Sequence, residues 1–378
     1  MTRPRILHCH STFVLGGKEA RAVRLMNAFG DKAEHTILSA VPDALAARDA
    51  IDPGIAVSFP GEPALHGKPG FGRYRALARF MRGFDLVLTY NWGAMDALGA
   101  RSLFRRGCPP IVHHEDGFNA DEARRLNWKR NAFRRLTFSA AERIVVPSRT
   151  LETIALTAWM QTADRVERIP NGIETALYAA PPKPDAIPGF ARAPGDVVVG
   201  TIAGLRTVKN LPRLVRAVAP LPPHVKLVIV GDGPERDAIV AQAVRLGMGD
   251  RLVMPGFLPH PHLYVRLFDI FALSSDSEQF PISLVEAMAA GLPAACTDVG
   301  DVRRIVAEQN RSFVVSPSDE NGFGATLAAL VSDAERRAAI GAANRALAVA
   351  EYDEKAMIMR YAALYEAAMG RPGALSAK

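Results

Sequence analysis

Along this chain, short apolar runs alternate with longer segments of helical pattern. In the first half the short runs are RILHCHS (5–11), HTILSAV (35–41), IAVSF (55–59), FDLVLTY (84–90), PIVHH (110–114) and RIVVPS (143–148), and they predict strands. Segments such as KEARAVRLMNAF and GRYRALARFMRGF lie between them and predict helices. The alternation restarts with VVVGTIAG (197–204), HVKLVIVG (224–231), DRLVMPG (250–256), FDIFALS (268–274), PAACTD (293–298) and SFVVS (312–316). The last helical pattern is EKAMIMRYAALYEAAM (354–369). Strand–helix alternation implies parallel sheets with helices on both faces, and two such sets imply two doubly wound α/β domains. Between them AAPPKPDAIPGFARAPGD has the composition of a linker. The expected boundaries are a first domain over 1–172, a linker over 173–195 and a second domain over 196–354. A terminal helix, about 355–378, is expected to pack back on the first domain. No short-period repeat suggests a solenoid.

The length of 378 residues fits two domains of ordinary size, and 49% hydrophobic with 22% charged residues is a globular composition. No apolar run is long enough to span a bilayer. MTRPRILHCHSTFV lacks the long apolar segment of a secretion signal. Three widely spaced cysteines, Cys9, Cys108 and Cys296, fit neither a disulfide framework nor a zinc site, so the expected compartment is the cytoplasm.

Charge changes this picture in one place. Residues 1–180 hold 25 Lys and Arg against 18 Asp and Glu, which accounts for the whole net charge of +7. The densest part is RRLNWKRNAFRR (124–135), with six basic side chains and no acidic ones. Such a helix suits an anionic membrane surface or an anionic substrate, and equally a solvated face on a basic protein.

Ligands of open α/β sheets bind beyond the carboxyl ends of the strands, where strand order reverses. Just after FDIFALS comes SEQFPISLVEAMAAGLP (277–293). Pro281 favours a helix start there, and Gly291 with Pro293 ends it. Glu278 then lies in the loop ahead of the helix and Glu286 on its second turn. The backbone N–H groups around Phe280, Pro281 and Ile282 surround a helix N-terminus, a site for phosphate oxygens. Carboxylates repel phosphate but accept well from sugar hydroxyls. A diphosphate at the helix end with a sugar hydroxyl on each side satisfies all these groups, and that describes a nucleotide-sugar.

These residues carry a resemblance. The chain resembles the retaining, nucleotide-sugar-dependent glycosyltransferases of family 4, through the E-x7-E pattern of Glu278 and Glu286. Further matches are LGGKEARAVRLMNAFG, VHHEDGF, VVPS, IPNGI, GLRTVKN and VGDGPE. The resemblance implies the GT-B fold, two facing Rossmann-like domains with a cleft between them. It implies that Glu286 accepts from the donor ribose and that Glu278 contacts the transferred sugar. Arg206 and Lys209 would neutralise the diphosphate, and Gly16 and Gly17 would let backbone approach the donor. It implies an acceptor hydroxyl attacking on the face from which the diphosphate departs, no bound metal and no cofactor. It also implies a UDP- or GDP-linked donor and a glycan or lipid-linked acceptor.

Three departures stand out. Gly204 stands where the family commonly has arginine, with Arg206 two residues later. Gln279 stands where a glycine is frequent. Many relatives have a histidine where Asp116 stands, so either Asp116 or His114 faces the reaction centre. Lys18, Asn91, His113, His114 and Asn119 lie at or just beyond strand ends and are candidates for the acceptor. A nucleotide-sugar epimerase shares fold and donor. A dehydrogenase reading of VGDGPER stops at Arg236, where a small residue is required, and no acidic residue ends the following strand. Nucleic-acid binding explains the basic half but not the carboxylate pair.

Overall fold

The computed structural model describes residues 2–68, 70–117 and 127–375. It divides into two compact units, Met1–Asn171 with Met357–Lys378, and Gly172–Ala356.

In the first unit the strands are β1 Arg5–His10, β2 Glu34–Ser39, β3 Val57–Ser58, β4 Leu86–Tyr90, β5 Ile111–His114, β6 Arg143–Val146 and β7 Val166–Arg168. They form one parallel sheet in the order β3-β2-β1-β4-β5-β6-β7. The helices are α1 Gly17–Phe29, α2 Phe71–Met81, α3 Met95–Leu103, α4 Trp128–Thr137 and α5 Arg149–Thr157. The β7 strand was not in the sequence pattern. It has three residues, two of them charged, and pairs only with β6.

In the second unit the strands are β8 Val197–Ile202, β9 Val225–Val230, β10 Leu252–Gly256, β11 Ile270–Leu273, β12 Ala294–Thr297 and β13 Val314–Val315. Their parallel sheet has the order β10-β9-β8-β11-β12-β13, the same winding as the first. The helices are α6 Leu211–Val218, α7 Arg236–Arg245, α8 Ile282–Ala289, α9 Val302–Ile305, α10 Glu320–Ser332 and α11 Ala334–Glu351.

Both faces of each sheet are covered, as continuous apolar strands require. In the first unit Leu7, Val87, Ile111, Ile144 and Val146 pack under α2, α3 and α5. The opposite face, Ile6, Leu86, Leu88, Val112 and Val145, packs against Met357, Tyr361 and Tyr365. Those three belong to the terminal helix, α12 Glu354–Met369. Residues 173–195 fall inside the second unit: Tyr178 and Ile187 are 5% and 2% exposed within its core. Their proline-rich composition reflects an irregular path over that core rather than a free linker.

Candidate functional site

In the second sheet β8 and β11 are central neighbours, and strand order runs outward in opposite directions from them. A crevice opens at the carboxyl ends at such a reversal. The loop after β8 carries Gly204, Arg206 and Lys209, and the loop after β11 carries Ser274, Ser275 and Glu278. Lys209 Nζ donates to Glu278 Oε1 at 2.5 Å, and Ser275 Oγ donates to the same oxygen at 2.7 Å. Ser274 Oγ donates to the Lys209 carbonyl at 2.9 Å, tying the loops together. A small cavity is lined by Thr201, Lys209, Ser275, Glu278 and Ser283. Ser283 is in the first turn of α8, where Pro281 is the N-cap and no side chain caps the helix. The first N–H groups of that helix have no intrahelical acceptor.

The side chains of Phe280, Pro281 and Ile282 turn into the apolar core or are buried beside it, and Phe280 meets Tyr352 edge-on at 5.6 Å. Glu286 lies on the second turn of α8 and accepts from Tyr178 Oη at 3.0 Å. The Arg206 side chain is exposed and makes no hydrogen bond or ion pair among the described residues. Its Nε lies 3.6 Å from the point a β-carbon on Gly204 would occupy, so it folds over the space that glycine leaves open.

Two glycine-bearing loops hold this arrangement. Gly300 has φ of 56°, and a β-carbon there would lie 2.2 Å from the Glu278 carbonyl oxygen. In VGDGPE, a β-carbon at Gly231 would lie 1.9 Å from the Ala203 carbonyl oxygen. The Asp232 carbonyl accepts from Leu205 N–H at 2.9 Å. These glycines let the loop after β9 press against the loop after β8, which explains them without a dinucleotide.

The first unit has its own reversal, between β1 and β4. There β1 ends at His10, β4 at Tyr90 and β5 at His114, and the three rings stack, His10 on Tyr90 at 4.1 Å and Tyr90 on His114 at 4.7 Å. His114 is fully buried, with Nδ1 3.2 Å from the Thr89 carbonyl and Nε2 2.8 Å from Tyr365 Oη. His113 is also fully buried, on the other face, with Nδ1 2.8 Å from Thr89 Oγ1. Both therefore drop out as acceptor contacts: α12 covers one face and the Phe138 side the other. Burial lowers the pKa of His8, His10 and His114 well below the usual value, and that of His35 to about 4.

Asp116 follows His114 by two residues and keeps 14% of its side-chain surface. Arg21 of α1 grips its carboxylate through both terminal nitrogens, with Nη2 donating to Oδ2 at 2.8 Å. Arg21 also donates to Asn171 Oδ1 at 2.9 Å and lies over the Tyr361 ring. Asn91 accepts the Asp116 N–H at 2.7 Å through its side-chain oxygen, so it shapes the loop. Gly16 and Gly17 are exposed at the start of α1. Lys18 is ion-paired to the buried Glu19. Asn119 and residues 124–126 lie outside the described residues.

The basic segment contains α4, with one correction. Arg134 is 1% exposed and does not face solvent. Its Nε is 3.4 Å from Glu115 Oε2, and its guanidinium lies over Trp92 and Trp159 at 5.2 and 5.3 Å. The outer face carries Trp128 and Leu136, 72% and 70% exposed, beside Lys129 and Arg135. No helix among the described residues is long and apolar enough to cross a membrane. Among the described residues no group of three His, Cys, Asp or Glu side chains could hold a metal ion.

The family model for glycosyl transferases group 1 matches residues 183–347, and that for Glycosyltransferase Family 4 matches residues 15–177. Each of the two matches covers a little under half of the chain. Among curated relatives, the D-inositol 3-phosphate glycosyltransferase of Segniliparus rotundus is 29% identical over 221 residues, 56% of this chain and 49% of that one. EpsF of Bacillus subtilis is 27% identical over 319 residues, 79% of this chain and 80% of that one. The chain spans about half the length of the first curated relatives it matches. HepE of Anabaena, solved in complex with UDP, superposes with a TM-score of 0.78 at 21% identity, over 96% of this chain and 100% of that one. It has also been solved with UDP-glucose. The fold is GT-B.

Four residues around the two strand reversals were not among the sequence candidates: Arg21 and Asn171 in the first unit, and Ser275 and Tyr178 in the second. Arg21 and Asn171 sit within LGGKEAR and IPNGI, segments already matched to the family, yet their partners are distant in sequence. Ser275 adjoins the glutamate loop. For Tyr178, just ahead of the proline-rich stretch, no local signal existed.

Proposed function

We propose that this chain moves a glycosyl group from a UDP- or GDP-linked sugar to an acceptor hydroxyl, as a retaining, metal-independent hexosyltransferase of family 4. The observation that carries this reading is the convergence of Lys209, Glu278, Ser275 and the start of α8 at the strand reversal of the second unit. A cation and free helix N–H groups suit a diphosphate, and carboxylates suit sugar hydroxyls. The UDP and UDP-glucose complexes of HepE support the same donor class.

The bond from the anomeric carbon to the β-phosphate oxygen breaks, and the acceptor oxygen bonds to that carbon on the same face. The acceptor proton passes to the departing phosphate oxygen, so no strong protein base is needed. Lys209 and Arg206 stabilise charge on the leaving diphosphate. Glu286, steadied by Tyr178, accepts from the ribose, and Glu278 from the transferred sugar. Gly16 and Gly17 allow close approach to the donor. Asp116, gripped by Arg21, orients the acceptor, and Lys18 at the start of α1 contributes to holding it. The acceptor is a glycan or lipid-linked molecule in polysaccharide or glycolipid synthesis. The Trp128–Leu136 face of α4 rests on the anionic cytoplasmic surface of a membrane.

Incubation with a panel of UDP- and GDP-sugars, with chelator present, tests this. Release of the nucleoside diphosphate and an NMR product of unchanged anomeric configuration are expected. An inverted product would remove retention; loss of turnover restored by a divalent ion would remove metal independence.

A further inference from the structure

The ion pair between Lys209 and Glu278 has a consequence for which ligand the second unit prefers. We infer that it is a self-neutralising latch, which masks the phosphate-binding ammonium in the free protein and is opened by a ligand carrying both a diphosphate and a sugar. This rests on the donor site proposed above.

The pair is short, 2.5 Å, and Ser275 fixes the same carboxylate oxygen from the other side at 2.7 Å. Both side chains are mostly withdrawn from water, 18% and 11% exposed, and both line the cavity that Ser283 of α8 also lines. With the pair closed its net charge is zero. A nucleoside diphosphate brings only negative oxygens. To reach Lys209 it must break the pair and lie against Glu278, whose remaining contact is Ser275. Like charges held close in a partly desolvated site repel. A nucleotide-sugar brings hydroxyl donors as well. Glu278 then exchanges an ammonium for hydroxyls while Lys209 exchanges a carboxylate for phosphate, and both charges stay partnered. Arg206, exposed and unpaired among the described residues, is the cation available for first contact.

The exchange runs backwards after transfer. Once the sugar has left, Glu278 keeps only the Ser275 hydroxyl and recaptures Lys209, which loosens the nucleoside diphosphate. The latch thus favours substrate over product and speeds product release.

Glu278→Gln keeps the shape and removes the charge. UDP and GDP are titrated by calorimetry into the wild type, Glu278→Gln, Lys209→Met and Glu286→Ala, with melting curves to confirm folding. Removing the mask is expected to tighten nucleoside diphosphate binding by about fivefold, the upper end for a partly exposed ion pair. Lys209→Met weakens it, and the preference for UDP-glucose over UDP shrinks in Glu278→Gln. Structural damage would weaken binding, so tightening has the opposite sign. If Glu278→Gln binds UDP or GDP no better than wild type while Lys209→Met and Glu286→Ala bind worse, the donor site stands and the latch is overturned. If neither nucleotide binds any of the four proteins, the donor site falls and the latch falls with it.

Discussion

The two units share one winding, yet their strand reversals are built differently. In the second unit the reversal is charged and partly open: Lys209, Glu278 and Ser275 meet there, with Arg206 free beside them. In the first unit it is sealed by His10, Tyr90 and His114, stacked and fully withdrawn from water. Asp116 there is already gripped by Arg21, and Lys18 is paired to Glu19. The difference teaches that the fold supplies a crevice in both places, but side chains decide which one can receive an anion.

Acid should separate the units most strongly. His8, His10, His35 and His114 are held neutral by burial, so their folded pKa values lie below the unfolded value near 6.5. The unfolded state then binds more protons, and stability present above pH 6.5 is lost as pH falls toward about 4, the value for His35. Each such group costs on the order of 1.4 kcal/mol per pH unit across that window. Hydrogen exchange at pH 5 should show β1, β2 and β5 losing protection while β8, β9 and β11 keep theirs. Equal loss in both units would break the contrast.

Arg21→Met should be next, destabilising the first unit by about 4 kcal/mol, because it strands the Asp116 carboxylate and Asn171. Denaturant unfolding measures this. Lys209→Ala should raise the barrier to transfer by about 3 kcal/mol, on the scale of one lost electrostatic contact, while leaving stability near wild type. Glu286→Ala should weaken donor binding by about 2 kcal/mol, the worth of a hydrogen bond to a charged group. Unchanged activity in both would sink the site. Smallest is Trp128→Ala with Leu136→Ala, which should lower sedimentation with anionic vesicles at low salt and spare turnover on a soluble acceptor. Vesicle binding equal to wild type would remove α4 as the contact.

Local pattern made much of this visible in advance. The apolar runs marked strands β1 to β6 and β8 to β13, because parallel strands buried on both faces are written as continuous apolar residues. The glutamate pair was readable because Pro281 and Gly291 punctuate one helix and place both carboxylates by themselves. What escaped depends on distance along the chain. Arg21 meets Asp116 across 95 residues, and Tyr178 meets Glu286 across 108. Neighbouring strand residues point to opposite faces, so His113 and His114 divide between the two faces of β5, but the sequence does not reveal that both faces are covered. Arg134 looked like a surface charge because its partner, Glu115, lies on another element.

Calorimetric titration with UDP, GDP and NAD, without added metal, tests the central claim most directly. UDP or GDP is expected to bind, Glu286→Ala to weaken that binding, and NAD not to bind. Binding of NAD alone, or nucleotide binding indifferent to Glu286→Ala, would contradict it.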